Sequence, residues 1–165
     1  MSKLTYYIIH CLATPEGKEF TAKQVRDWHT LPPPNGRGWK VPGYSKILHL
    51  DGSWSVLVPN DDNGWIDPRE LTNGAVGINS ISKHIAYVGG MTSDMKKPKD
   101  TRTKNQLQWM LQDIKEMILK NADIQVGGHN QFSEKACPSF DVPAWLRSCG
   151  ISEKNICTRK ILYKL

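Results

Sequence analysis

Apolar positions in this chain come in short blocks, and the spacing within each block predicts an element. Thr5 to His10 (TYYIIH) is an unbroken run of aromatic and β-branched residues, the pattern of a buried strand. Thr21 stands as a helix N-cap before AKQVRDWHT, which carries Val25 and Trp28 on one face. LPPPNGRGWKVPG follows, and three prolines with Gly36, Gly38 and Gly43 make it an extended loop. Tyr44 to Leu50 reads as a strand, Asp51-Gly52 as its hairpin turn, and Ser53 to Val58 as the return. Residues 59–82 show no period and read as a long surface loop of the kind that carries binding residues. His84 to Val88 is a further strand, stopped by Gly89-Gly90, and residues 91–103 are polar and loop-like. Leu107, Met110, Leu111, Ile114, Met117 and Ile118 then recur at helical spacing after a Thr103 cap, with Lys and Gln on the other face. Ala122 to Val126 predicts a strand running toward His129. Asp141 caps a short helix, VPAWLRSC, that ends at Gly150. The tail TRKILYKL, residues 158–165, reads as an edge strand.

That order predicts an α/β fold: a mixed central β-sheet flanked by helices. In such sheets, sites form where strands end. A length of 165 residues predicts a single domain over 1–165, and 39% hydrophobic content is enough for one core. No apolar run reaches 18 residues, so no helical membrane span is expected. Lys and Arg number 22 against 16 Asp and Glu, giving +6. That excess suits acidic partners (nucleic acid, anionic lipid or bacterial wall) and equally suits a merely soluble surface. Cys11, Cys137, Cys149 and Cys157 lack metal-finger spacing and read as reduced thiols, with a Cys149–Cys157 bridge as the alternative. The opening MSKLTYYIIHCLAT has the apolar length of a leader, but His10 interrupts it, so it reads as the first strand and no signal peptide is expected.

Candidate chemistry enters with GGHNQFSEKACPSFD, where His129 precedes Cys137 by eight positions and Lys135 by six. His10 closes the first strand. Two histidines and a cysteine make a three-ligand set that leaves a tetrahedral zinc ion one open position, the mark of a catalytic site. Each residue also has a plainer reading: His10 as a satisfied core histidine, Cys137 as a small buried apolar group, His129 as a loop residue. His29, His49 and His84 read as structural or surface histidines. Asp141 reads first as a helix cap.

IIHCLAT, GYSKILHLDG, SKHIAYVGG and GGHNQFSEKACPSFD, in this order, resemble the zinc-dependent N-acetylmuramoyl-L-alanine amidases of the type 2 family, small phage endolysins among them. Peptidoglycan recognition proteins share that fold. The resemblance runs from about residue 5 to 149 and is most specific at KACPSFD. It implies an amidase/peptidoglycan-recognition-protein-like fold with one zinc ion on His10, His129 and Cys137. Tyr44 and Lys135 would be the active-site tyrosine and lysine, beside the transition-state oxyanion. The implied reaction is hydrolysis of the amide joining N-acetylmuramic acid to L-alanine in peptidoglycan or a muropeptide. A monomer, made in the cytoplasm and reaching the wall on release, with no nucleic-acid partner, is expected. The alternative is a non-catalytic peptidoglycan-binding module of the same fold. Departures are Leu12 after His-Cys, Asn73 and Asn79 in a loop where the family often has histidine, the triple proline, and the loop over 59–72. Trp39 and Trp65 are candidate platforms for sugar or peptide.

Overall fold

The structure is a computed structural model that describes residues 1–164. In chain order it contains β1 (Ser2–Lys3), β2 (Tyr6–Cys11), β3 (Thr14–Pro15), α1 (Ala22–Thr30), β4 (Lys46–Leu48) and β5 (Trp54–Val56). There follow β6 (Trp65–Ile66), β7 (Ser82–Tyr87), β8 (Gly90–Met91), α2 (Lys104–Lys120), β9 (Gln125–Gly128) and α3 (Val142–Ser148). Five strands form the central sheet in the order β5-β4-β7-β2-β9. All pairings in it are parallel except the β4–β5 hairpin, so the sheet is mixed, as the element order predicts.

The central strands β2 and β7 are buried without alternation because both faces are covered. β7 is buried throughout and β2 at every residue but Tyr6. Tyr7, Ile9, Ile85, Tyr87 and Leu48 belong to the larger core, packed with Met110, Ile114 and Met117 of α2 and Leu146 of α3. The odd–even change of face turns Ile47 and Ala86 the other way, onto Val25 of α1 and Leu57. Ile8 on that side meets Ala75 and Ile78. Each long helix opens on a reciprocal capping box, Thr21 with Gln24 and Thr103 with Gln106.

Two helical faces differ from the sequence pattern. In α1 the buried partner of Val25 is His29, while Trp28 is 36% exposed. In α2 Gln106 is fully buried, because its amide donates to the carbonyls of Leu48 (3.2 Å) and Val88 (3.0 Å) at the ends of β4 and β7. A glutamine placed there bridges the two carbonyls, adding a second donor to Leu48 O, which already accepts from Val88 N–H (2.9 Å), and a donor to Val88 O. Residues 59–82 are more ordered than a loop reading implies: β6 pairs antiparallel with β1, and 3-10 turns cover Pro68–Glu70 and Asn79–Ile81. The tail forms no strand over 158–164, and Leu165 lies outside the described residues. The contact with β9 comes earlier, through a parallel bridge from Ile156 to Val126. Cys149 and Cys157 are both free, so the alternative bridge does not form.

Candidate metal centre

β2 runs between β7 and β9, so His10, near its C-terminal end, opens beside whatever follows those two strands. Beyond β9 the chain turns at once into a 3-10 segment, His129–Gln131, which sets His129 next to His10 with ring centres 4.4 Å apart. Gly128 permits this approach. A Cβ there would stand 2.9 Å from Val142 and 3.1 Å from Pro138. The buried Gln131 pins the turn: its carbonyl oxygen accepts from Gly128 N–H (2.9 Å), and its amide donates to the carbonyls of Cys157 and Arg159.

Cys137 arrives from the loop after that turn. Tyr87 OH donates to the carbonyl of Pro138 (2.7 Å), and Ser139 Oγ donates to the carbonyl of Gly90 (2.8 Å), tying the loop to the end of β7. The N–H of Cys11 donates to Sγ of Cys137 (3.3 Å). Sγ lies 3.7 Å from Nδ1 of His10. Donor atoms of His10, His129 and Cys137 all fall within 4.8 Å of one another, close enough to share one ion.

The chemistry of this donor set fits zinc: two imidazole nitrogens and a sulfur, with no carboxylate oxygen among them. Burial holds the His10 imidazole neutral, well below its ordinary range, helped by the neighbouring His129, His84 and His29 rings and by Lys135. Burial and the Lys135 ammonium lower His129 to about 4. Both rings therefore offer a lone pair at neutral pH. Burial and the neighbouring Cys11 thiol raise Cys137 well above the usual thiol range, while Lys135 favours its thiolate. A divalent cation is the charge that would reverse that balance.

Tyr44 also stands beside His10, ring centres 5.1 Å apart, and is half-buried. Burial and the two thiols raise its hydroxyl far above the normal phenol range, so it remains a neutral hydrogen-bond donor. Lys135 is exposed at the rim, and its charge reaches both histidines. All five residues singled out in the sequence therefore gather at the same end of the sheet. Glu134 is exposed, and Asp141 caps α3 through its bond from Ala144 N–H (2.8 Å).

Two further histidines belong to this neighbourhood, which the sequence reading left as structural. His29 packs edge-on against Tyr44 (5.1 Å), stacks on Trp39 (5.0 Å) and accepts from Gly43 N–H at Nδ1 (3.2 Å). Burial and Arg37 lower its pKa to about 4. His84 is fully buried with Nδ1 2.9 Å from Nε2 of His10. Its pKa falls to about 3 through burial and His129. The signal for His84 was parity along paired strands, which becomes readable only when the partner and register are known. His49 lies apart, bonded to Glu19 and Ser55. Of the two candidate platforms, Trp39 joins the Tyr44 wall through His29. Trp65 lines a separate open groove of roughly 480 Å³ with Met1, Asn60 and Arg69.

No protein-family model matches the chain. Its sequence is 28% identical over 137 residues to the endolysin of Klebsiella phage KP32, covering 83% of this chain and 82% of the relative. The endolysin of Escherichia phage T7 matches to the same extent, 28% over 137 residues with 83% and 82% covered. Among solved structures, N-acetylmuramoyl-L-alanine amidase LysC from Clostridium intestinale superposes with a TM-score of 0.69 at 16% identity, over 92% of this chain and 88% of that one. Bumblebee PGRP-SA gives 0.69 at 19% identity, over 97% and 87%.

Proposed function

We propose that this chain, which is homologous to phage endolysins and has the fold of N-acetylmuramoyl-L-alanine amidases and peptidoglycan recognition proteins, is itself a zinc-dependent N-acetylmuramoyl-L-alanine amidase acting as one domain over 1–165. The observation that carries this reading is the convergence of His10, His129 and Cys137 within 4.8 Å. The substrate is peptidoglycan or a muropeptide, and the bond cleaved is the amide between N-acetylmuramic acid and L-alanine.

Bound zinc supplies a Lewis acid and lowers the pKa of its water to about 7. The protein's own groups do the rest. His10 and His129 hold the ion with neutral rings that need lose no proton, and Cys137 contributes the negative donor. Amide hydrolysis passes through a tetrahedral oxyanion, and preformed donors aimed at it typically contribute 10²–10³ in rate. Lys135, two residues before Cys137, sets a positive charge at the rim where that oxyanion would form. Tyr44, kept as a phenol by burial and packed beside His10, donates a hydrogen bond to the same oxyanion. The +6 charge suits an anionic wall polymer.

The second reading, a binding module without turnover, is disfavoured by the intact donor set. One experiment separates them. Permeabilised bacterial walls are treated with the protein, with and without chelator, and the released fragments are weighed by mass spectrometry. Clearing that stops on zinc removal and returns on zinc addition, with fragments cut at the muramyl–alanine bond, is the expected result. Clearing that survives complete zinc removal would refute the mechanism. Wall binding without new fragments would favour the recognition module.

A further inference from the structure

We propose that His84 is a positioning residue for the metal centre: its Nδ1 accepts the Nε2 proton of His10 and so turns Nδ1 of His10 toward the ion. The inference rests on the zinc reading above and adds the group that selects which nitrogen of His10 binds.

The placement follows from strand register. β2 and β7 are parallel, with Ile8 beside His84 and His10 beside Ala86. His10 and His84 therefore project from the same face of neighbouring strands, one step apart on the diagonal. Their rings meet at 2.9 Å, Nε2 of His10 to Nδ1 of His84, with both side chains buried. A neutral imidazole carries one N–H, so a bond between two such rings admits two proton arrangements. In one, His84 donates from Nδ1, and the His10 proton sits on its own Nδ1, pointing toward Cys137. That arrangement blocks ligation. In the other, His10 donates from Nε2, leaving the Nδ1 lone pair free on the side where Cys137 Sγ lies at 3.7 Å. Only the second is compatible with a metal shared by His10 and Cys137.

The second arrangement has a visible cost. It puts the remaining His84 proton on Nε2, and that atom is buried with no hydrogen-bond partner among the described residues. An unpaired buried donor typically costs about 1–3 kcal/mol. The ring is nevertheless held firmly. A Cβ at Gly74 would lie 2.4 Å from it, so the loop closes over the imidazole only because that residue is glycine. The carbonyl of His84 accepts from both Ser45 N–H (2.8 Å) and Ser45 Oγ (3.0 Å). Ligating histidines usually donate their second N–H to a carboxylate, a carbonyl or water. An imidazole acceptor orients His10 as those do, without adding a negative charge.

The test measures zinc affinity of the full chain by competition with a chromophoric chelator, for wild type, His84→Asn and His84→Leu. Asparagine keeps an acceptor one bond beyond Cγ, where Nδ1 sits; leucine has the same branching and no acceptor. Loss of an outer partner typically weakens binding 10–100-fold, so His84→Leu should fall in that range, with His84→Asn restored to within about threefold of wild type. Leucine binding zinc as wild type does would overturn the inference. So would asparagine as weak as leucine, which would make packing the cause. Wild type failing to bind zinc would overturn this inference and the amidase reading together. Nitrogen-detected NMR of the zinc-loaded wild type needs no variant and supplies a second readout. His10 and His84 should both carry their proton on Nε2, and a proton on Nδ1 of His10 would refute the assignment.

Discussion

Sγ of Cys137 lies 3.7 Å from Nδ1 of His10, across 127 positions of sequence. The sheet sets one atom and a tethered loop sets the other, so their meeting depends on the whole fold. Serine at position 137 keeps the shape of cysteine while replacing a soft, ionisable donor with a hydroxyl. Cys137→Ser should reduce zinc affinity by more than the ~100-fold that loss of an outer partner can cost. Zinc content after exhaustive dialysis, read by mass spectrometry of the metal, checks this, and retention of one full equivalent would contradict the ligand set.

Lys135 and Tyr44 should behave differently from the ligands. Lys135→Ala and Tyr44→Phe should each lower kcat by roughly 10²–10³ while leaving zinc content unchanged. Turnover of a defined muropeptide, alongside metal analysis of the same preparations, separates a chemical role from a structural one. Parallel loss of metal and activity in either variant would remove that residue from the reaction.

His29 makes stability depend on pH in the metal-free protein. Its folded pKa is about 4 against an ordinary 6.5, lowered by burial and then by Arg37. Between those values the unfolded chain binds a proton that the folded chain does not, so stability falls as pH drops from about 6.5 toward 4. Above 6.5 the contribution is constant. The urea midpoint in chelator should decline across that window, and less steeply in His29→Gln. Equal slopes in the two proteins would show that His29 does not titrate as described.

The long helix tests the packing account. Thr103 caps α2 through Gln106 N–H (3.1 Å), and its hydroxyl donates to the carbonyl of Leu50 (2.7 Å). Thr103→Ala should cost about 1–2 kcal/mol. Ile114 is fully buried on the sheet side of the same helix, and Ile114→Ala should cost about 2–5 kcal/mol. Denaturant titrations that reversed this order would mean that α2 is held more by its end than by its face.

Much of the architecture was legible in one dimension because the relevant forces are local. The run from Thr5 to His10, the caps at Thr21, Thr103 and Asp141, and the helical spacing from Met110 to Met117 each express a backbone preference within a few residues. Individual positions were misread where a distant partner overrode the local pattern. Gln106 looks like a solvent-facing residue until the carbonyls of Leu48 and Val88 are beside it. Trp28 looks more apolar than His29, yet His29 takes the buried place, where Gly43, Trp39 and Tyr44 surround it.

His10, His129 and Cys137 could be read from residue types as a possible ligand set, and Tyr44 and Lys135 only through the resemblance to the type 2 amidases. Their distances could not, because spacing along a chain says nothing about which strands become neighbours. Strand order put β2 between β7 and β9, and that single topological choice brought three donors from opposite ends of the chain within 4.8 Å. It also placed His84 against His10, a contact governed by parallel register between segments about 75 residues apart and therefore invisible to any local pattern.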